Sequence, residues 1–178
     1  MKTIKLILAL SIAIFITSCS SDDNKTVAFD YIIGNVAGNY TIKSYNADLS
    51  NTVNTQGTNV AVSSAKKLGD TFQVNIQLNA NGTYTALGQY RVVTTVTPVS
   101  GSATTTPAII NVDDSGSFSV STSGARTISF VTKTGEFLLG KYDVNLFNET
   151  TFTLTQDSEK TDGNITTKTK ANFILEKK

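Results

Sequence analysis

The chain of 178 residues contains no histidine, no tryptophan and a single cysteine. Without histidine it lacks the commonest general base near neutral pH, the commonest zinc ligand and every nucleophile that depends on an imidazole. With one cysteine it cannot form an intramolecular disulfide, so burial alone has to stabilise the fold. Its 15 basic and 14 acidic residues are nearly balanced and not clustered, which excludes an electrostatic footprint for nucleic acid.

The acidic residues do not form a recognisable catalytic or metal-binding pattern either. Asp113–Gly116 and the segment 157–164 are rich in oxygen ligands, but their spacing does not match an EF-hand loop. Both segments have the composition of turns, whereas glycosidase chemistry needs two carboxylates that face one cleft. No glycine-rich phosphate loop is present. The sequence therefore predicts a protein that is not an enzyme and that has no metal site and no cofactor.

The N-terminus has the organisation of an export signal. Lys2 and Lys5 precede an apolar run over residues 6–16, and the run ends at Ile16-Thr17-Ser18-Cys19. This arrangement resembles the lipobox of bacterial lipoproteins, which implies cleavage before Cys19 and lipidation of its thiol. The alternatives are an ordinary secretory signal and a membrane-anchor helix, but the run is well short of the roughly 20 apolar residues that span a bilayer. We predict a signal peptide over residues 1–18.

Residues 19–36 are predicted to be the lipidated cysteine and a flexible tether, with a helical turn near residues 29–36. Ser20-Ser21-Asp22-Asp23-Asn24-Lys25 is small, polar and acidic, and such a segment cannot bury apolar area. It resembles the acidic export signal that follows the lipidated cysteine in lipoproteins of the Bacteroidota, and a plain spacer is the alternative. The resemblance implies anchoring to the outer membrane through Cys19, facing the cell surface. The alternative location is the periplasmic leaflet.

Alternation of apolar and polar residues dominates the rest of the chain. Phe72, Val74, Ile76 and Leu78 alternate with polar residues, which is typical of a half-buried strand. The turn-forming residues 79–82 follow, and alternation then resumes from Tyr84, so this region is predicted to be a hairpin.

The same pattern of alternating strands and turn-forming residues repeats downstream. Turns are predicted at 113–116, 123–124, 133–136 and 148–149, and a polar loop is predicted over 157–164. Residues 94–108 carry both prolines and are predicted to be a long mobile loop or a loosely held edge. The result is about eight to ten short strands joined mostly by tight turns. We predict an all-β domain over residues 37–178, a single antiparallel up-and-down barrel of about eight strands. A β-sandwich is the alternative.

Three motifs add a family resemblance over roughly residues 37–178. They are Gly38-Asn39-Tyr40, the segment 79–84 (Asn-Ala-Asn-Gly-Thr-Tyr) and Gly116-Ser117-Phe118. The chain resembles the lipocalin-like lipoproteins of the Bacteroidota. The resemblance implies an aromatic plug at one barrel end, with Tyr40 where the family usually has tryptophan. It also implies a basic residue over that plug, for which Arg91 and Arg126 are the candidates.

The large apolar residues of the strands are predicted to share the inward face. They either line a cavity for a small apolar ligand or fill the interior as an ordinary core. They are Phe72, Ile76, Tyr84, Tyr90, Phe118, Phe130, Tyr142, Phe152 and Phe173. The resemblance implies a small apolar ligand or a partner protein. Two hypotheses follow, a surface-anchored binding lipoprotein and a non-catalytic accessory subunit docked on an outer-membrane protein complex.

Overall fold

The computed structural model describes residues 29–178, so the predicted signal peptide, Cys19 and the tether up to residue 28 lie outside the described residues. One short helix, α1 (Ile33–Val36), precedes eight antiparallel strands. The strands are β1 (Gly38–Thr55), β2 (Thr58–Leu78), β3 (Thr83–Pro98), β4 (Thr104–Ser121), β5 (Thr127–Thr134), β6 (Gly140–Phe147), β7 (Thr151–Asp162) and β8 (Ile165–Lys177).

Each strand pairs with its neighbour in sequence, and β1 also pairs with β8, which closes the sheet into a barrel. The predicted all-β up-and-down barrel is confirmed. The sandwich alternative is wrong, because no break separates the strands into two sheets.

The hairpin of β2 and β3 forms where alternation and turn chemistry coincide. Val74, Ile76 and Leu78 are buried while the residues between them are exposed. At the turn, Gly82 has φ 81°, a conformation that a residue with a side chain rarely adopts. The amide of Asn79 donates to the carbonyl of Thr83 at 2.8 Å and closes the turn. The predicted hairpin is therefore confirmed.

The strands differ greatly in length, which gives the barrel one low side. β5 and β6 have eight residues each, whereas β2 has 21. The pairing of β4 with β5 starts at Ser115, and that of β6 with β7 reaches only to Thr155. Beyond these points six strands continue as an open curved sheet in the order β7-β8-β1-β2-β3-β4. The concave face of this sheet therefore continues upward from the barrel interior and is open on the side of β5 and β6.

The segment 94–108, predicted to be a loop or edge, is mostly strand. β3 runs to Pro98 and β4 starts at Thr104, so only residues 99–103 connect them. Pro107 pairs with Val93 inside the ladder, at a height where β4 has no neighbour on its other side. An edge position accommodates proline because its missing N–H leaves no partner unsatisfied there. The prediction of a long mobile loop is wrong, whereas the alternative prediction of an edge agrees with the position of β4.

Two further predicted loops are also strand. Asp113–Gly116 lies within β4, and Gly116 is required because a Cβ there would collide with the backbone oxygen of Val131. Asp157–Asp162 extends β7 and pairs with β8, so the turn is confined to residues 163–164. Both segments have turn-like composition, but cross-strand partners override it.

The chain enters at the closed end of the barrel, and residues assigned to the tether pack there. Tyr31 is buried and donates a hydrogen bond to the carbonyl of Thr127 at 2.9 Å. Tyr40 plugs this end and donates to the carbonyl of Val36 at 2.7 Å. Residues 29–36, the described part of the predicted tether 19–36, thus belong to the folded domain, which begins before the predicted boundary at residue 37.

The basic residue over the Tyr40 ring is Lys177, with its Nζ 5.7 Å from the ring centroid. Neither residue considered in the sequence analysis occupies this place. Arg91 forms an exposed ion pair with Asp70, and Arg126 is exposed in the loop between β4 and β5. Lys177 reaches the plug because β8 pairs with β1 at Tyr40, a long-range register that local sequence does not reveal.

Candidate ligand-binding site

Most of the nine residues predicted to face inward form a packed core. Eight of them are buried, and Phe72 is partly buried against that core. In the lower barrel, which is the part toward the closed end, the ring centroids of Tyr84 and Phe130 are 5.1 Å apart, and those of Phe130 and Tyr142 are 5.9 Å apart. The residues of this lower, filled part are Ile76, Tyr84, Phe118, Phe130, Tyr142 and Phe152.

The remaining three predicted residues lie nearer the open end, where the interior opens into a cleft. The cleft has a volume of about 470 Å³ and lies beside the loop that joins β5 to β6. Tyr90 and Phe173 line it, and Phe72 stacks on Tyr90 with 5.8 Å between the ring centroids. The other lining residues are Tyr45, Ile110, Asn111, Val112, Asp113, Asp114, Gly135, Glu136 and Phe137.

Four aromatic rings form a closed circuit in this lining. Tyr90 lies 5.9 Å from Tyr45 and 5.8 Å from Phe137, measured between ring centroids. Phe173 completes the circuit at 4.7 Å from Tyr45 and 5.7 Å from Phe137. Two of the four contacts are edge-to-face, with interplanar angles of 88° and 87°. The circuit therefore presents both ring faces and ring edges at the open end.

Tyr45 and Phe137 belong to this site although alternation did not predict them. The register of β1 against β8 shifts between Ile42 and Ser44, so the inward face changes from even-numbered to odd-numbered residues. Tyr45 consequently points inward, where unbroken alternation from Tyr40 would point it outward. Phe137 is in a loop, for which strand periodicity predicts nothing. An aromatic residue directly after the Gly135 turn is the signal that could have indicated it.

Asp114 fixes the loop that forms one side of the cleft. It is only 1% exposed, and its Oδ2 accepts a hydrogen bond from the amide of Leu138 at 2.9 Å. Its Oδ1 accepts one from the hydroxyl of Tyr84 at 3.1 Å. Leu138 is fully buried, so this loop is held against the core at both a polar and an apolar contact. Sequence reasoning missed Asp114 because it placed the residue in a turn.

Burial raises the pKa of the tyrosine hydroxyls of this region, which moves their ionisation still further above neutral pH. It raises the pKa of Tyr90 to about 12 from the ordinary value of 10.0. The pKa of Tyr84 is raised by burial first and then by the charge of Asp114. The pKa of Tyr142 is raised by burial and further by Tyr45 and Asp114. The hydroxyls therefore act as neutral hydrogen-bond donors and acceptors.

The lining of the cleft combines aromatic rings with a few carboxylates. Its carboxylate of lowest exposure, Asp114, accepts two protein hydrogen bonds. Among residues 29–178, no group of three or more histidine, cysteine, aspartate or glutamate side chains could hold a metal ion. Within the same range, no helix is long and apolar enough to cross a bilayer. Aromatic faces with a few polar groups are typical of a small-molecule site.

A second depression, of about 520 Å³, lies along β7, β8 and β1. It is lined mostly by charged and small polar side chains, and Asp157 and Lys170 there form an exposed ion pair at 3.9 Å. Exposed ion pairs of this kind contribute little free energy, and the lining of this depression has no aromatic ring. We therefore regard the aromatic cleft as the better candidate for a ligand-binding site.

No protein-family model, no curated protein and no solved structure matches this chain.

Proposed function

We propose that this protein is an outer-membrane lipoprotein with a lipocalin-like barrel that binds a small apolar ligand at the cell surface. Lipid on Cys19 is its anchor, and the aromatic cleft at the open end is its binding site. The observation that carries the proposal is the aromatic circuit of Tyr45, Tyr90, Phe137 and Phe173. The lower interior is filled, so the ligand occupies the mouth of the barrel and does not enter its centre.

The positions of the two ends support this arrangement. Phe29, the first described residue, packs on Phe147 near the closed end, with ring centroids 5.0 Å apart. The cleft lies toward the other end, where the long hairpins extend past β5 and β6. A lipid on Cys19, ten residues before Phe29, would hold the closed end of the barrel near the membrane, and the cleft would then face away from the membrane.

A non-catalytic role is supported by the way the polar groups are used. The two oxygens of Asp114 accept hydrogen bonds from Tyr84 and Leu138, and these bonds hold the wall and the loop. A hydrolase would instead need titratable groups that converge on a substrate.

Native mass spectrometry of the protein extracted from the membranes of its host tests the proposal. We expect a small molecule to be retained by the wild type and lost from Tyr90→Leu, which removes one ring of the circuit but keeps an apolar side chain. Tyr31→Phe, at the closed end, is the matched control and should retain the molecule. A wild-type protein without any retained molecule, or equal retention by Tyr90→Leu, would contradict the proposal.

The role of an accessory subunit is the second candidate, and one observation favours it. On the outer face, Leu68 pairs with Val93 and Val93 pairs with Pro107, which forms an apolar row across β2, β3 and β4. Ile109, on the same face of β4, is 59% exposed. A patch of this kind marks many protein contacts. Co-purification of an outer-membrane protein with the wild type, and its loss in Ile109→Lys, would favour this role.

A further inference from the structure

We infer that the ligand of the open-end cleft is a small organic cation, an ammonium group carried on an apolar body. This inference rests on the proposed function and specifies the class of ligand. It draws on three properties of the lining: the aromatic circuit, the sign of the charged residues and a tyrosine hydroxyl without a protein partner.

The aromatic circuit is suited to a cation. The faces of aromatic rings are electron-rich, and rings that meet near right angles can present several faces to one positive group. Tyr45 and Tyr90 meet at 88°, and Phe137 and Phe173 meet at 87°. Tyr90 and Phe173 are buried while Tyr45 and Phe137 remain partly exposed, so the circuit is a lined surface open on one side.

The charged residues of the lining all have the same sign. Asp114 and Glu136 line the cleft, and no described lysine or arginine does so. Asp113 borders it as well, but alternation along β4 places its side chain on the outer face with that of Ile109. Asp114 lies buried at the base, whereas Glu136 is exposed at the rim. Lys67 pairs with Ala47 and Thr94 on the concave face but lies outside the lining. The charged groups of the lining itself therefore favour a positive ligand over an anion.

A tyrosine hydroxyl that is accessible from the cleft also points to a ligand. Tyr90 is 6% exposed, and its hydroxyl makes no hydrogen bond to another residue in the range 29–178. The oxygen is accessible to solvent. Within residues 29–178, the only buried side-chain nitrogen or oxygen without a hydrogen-bond partner is Oδ1 of Asn172. The hydroxyl oxygen of Tyr90 therefore opens into the cleft. Such an oxygen can accept a hydrogen bond from an ammonium group that lies against the rings.

Three probes with one apolar body separate the effect of charge from that of burial. They are phenethylammonium, 2-phenylethanol and phenylacetate, titrated into the purified mature protein by isothermal titration calorimetry. We expect phenethylammonium to bind about tenfold more tightly than 2-phenylethanol, which corresponds to about 1.4 kcal/mol. Phenylacetate should bind more weakly than both.

Glu136→Gln tests the electrostatic part, since it removes a rim charge at an exposed position. We expect it to weaken phenethylammonium binding several-fold and to leave 2-phenylethanol unchanged. Glu149→Gln, in the exposed turn between β6 and β7, is the matched control and should change neither affinity. Tyr90→Phe should weaken phenethylammonium binding selectively, because it removes only the hydroxyl.

The outcomes separate this inference from the proposed function. If 2-phenylethanol binds as tightly as phenethylammonium and Tyr90→Leu abolishes both, the cleft is a binding site but the cationic class is wrong. If phenethylammonium fails to bind, or if Glu136→Gln leaves its affinity unchanged, the cationic class is also wrong. Retention of a neutral molecule in the native mass spectrum would keep the proposed function and overturn the inference.

Discussion

The hydroxyl of Tyr84 and the carboxylate of Asp114 are joined by a buried hydrogen bond of 3.1 Å between β3 and β4. The bond links the packed lower interior to the open end, because the other oxygen of Asp114 accepts the amide of Leu138 in the loop beside the cleft. One acidic side chain thereby connects the barrel wall, the core and the candidate site. Its removal should affect stability and the shape of the cleft together.

Replacing Asp114 with alanine should lower the free energy of unfolding by about 2–4 kcal/mol. Alanine leaves the hydroxyl of Tyr84 and the amide of Leu138 buried without an acceptor, and an unsatisfied buried polar group costs about 1–3 kcal/mol. Urea denaturation followed by circular dichroism measures the change. Tyr84→Phe is the control and should cost less, since Asp114 keeps its bond to Leu138. An Asp114→Ala variant as stable as the wild type would contradict the structural role of this residue.

Stability should fall at alkaline pH because buried tyrosines resist ionisation. Burial raises the pKa of both Tyr40 and Tyr90 from 10.0 to about 12. Because the folded-state pKa exceeds the unfolded one, this stabilisation is complete below about pH 10 and is lost as the pH rises through 12. Each of the two should lose roughly 2 kcal/mol by pH 12. Lys177 acts in the opposite direction, since burial lowers its pKa.

Urea denaturation at increasing pH, together with the ultraviolet absorbance of tyrosinate, measures this alkaline loss. Tyr90→Phe should show a smaller loss between pH 10 and 12 than the wild type. Tyrosinate absorbance that develops fully near pH 10 while the fold persists would show that these hydroxyls are not shielded.

Lys177→Met should destabilise the closed end by about 1 kcal/mol. The ammonium of Lys177 donates to the carbonyl of Asn35 at 2.7 Å and lies 5.7 Å from the centroid of the Tyr40 ring. Lys43→Met is matched in chemistry, but its ion pair with Glu176 is exposed on both sides, so it should change stability little. Equal effects of the two substitutions on the urea midpoint would show that the contacts of Lys177 contribute nothing specific.

Cys19→Ala should release the protein from the membrane fraction. One acyl chain holds a protein only weakly, whereas two or three chains on one residue hold it firmly, so loss of the thiol removes the whole attachment. Fractionation and an immunoblot for precursor size measure this outcome, with Ser21→Ala as the control. A Cys19→Ala protein that stays in the membrane fraction, with its precursor processed as in the wild type, would show that no lipid on Cys19 anchors it.

The alternation of apolar and polar residues predicted the barrel because each strand has one buried face in the part of the barrel below the open end. Ile76, Tyr84 and Phe152 face inward as the period of two requires, and the turn at residues 79–82 fixes the register of the first long hairpin. The antiparallel meander and its closure follow from these local signals together with the need to cover sheet edges.

The candidate site was harder to predict, because it depends on departures from local rules. A bulge turns Tyr45 inward, and a loop carries Phe137 into the mouth of the barrel. Asp114 lies in a stretch with turn-like composition, yet Tyr84 and Leu138 hold it inside a strand. Each departure is decided by a partner distant in sequence, which a window of local residues does not contain.

Chemical-shift mapping of phenethylammonium binding to the isotope-labelled protein tests the central claim most directly, because it locates the bound molecule. The account predicts shifts concentrated at Tyr45, Tyr90, residues 110–114 and residues 135–137, with the closed end around Tyr31 and Lys177 unchanged. Shifts concentrated in the depression along β7 and β8, or on the outer face around Ile109, would place binding elsewhere and contradict it.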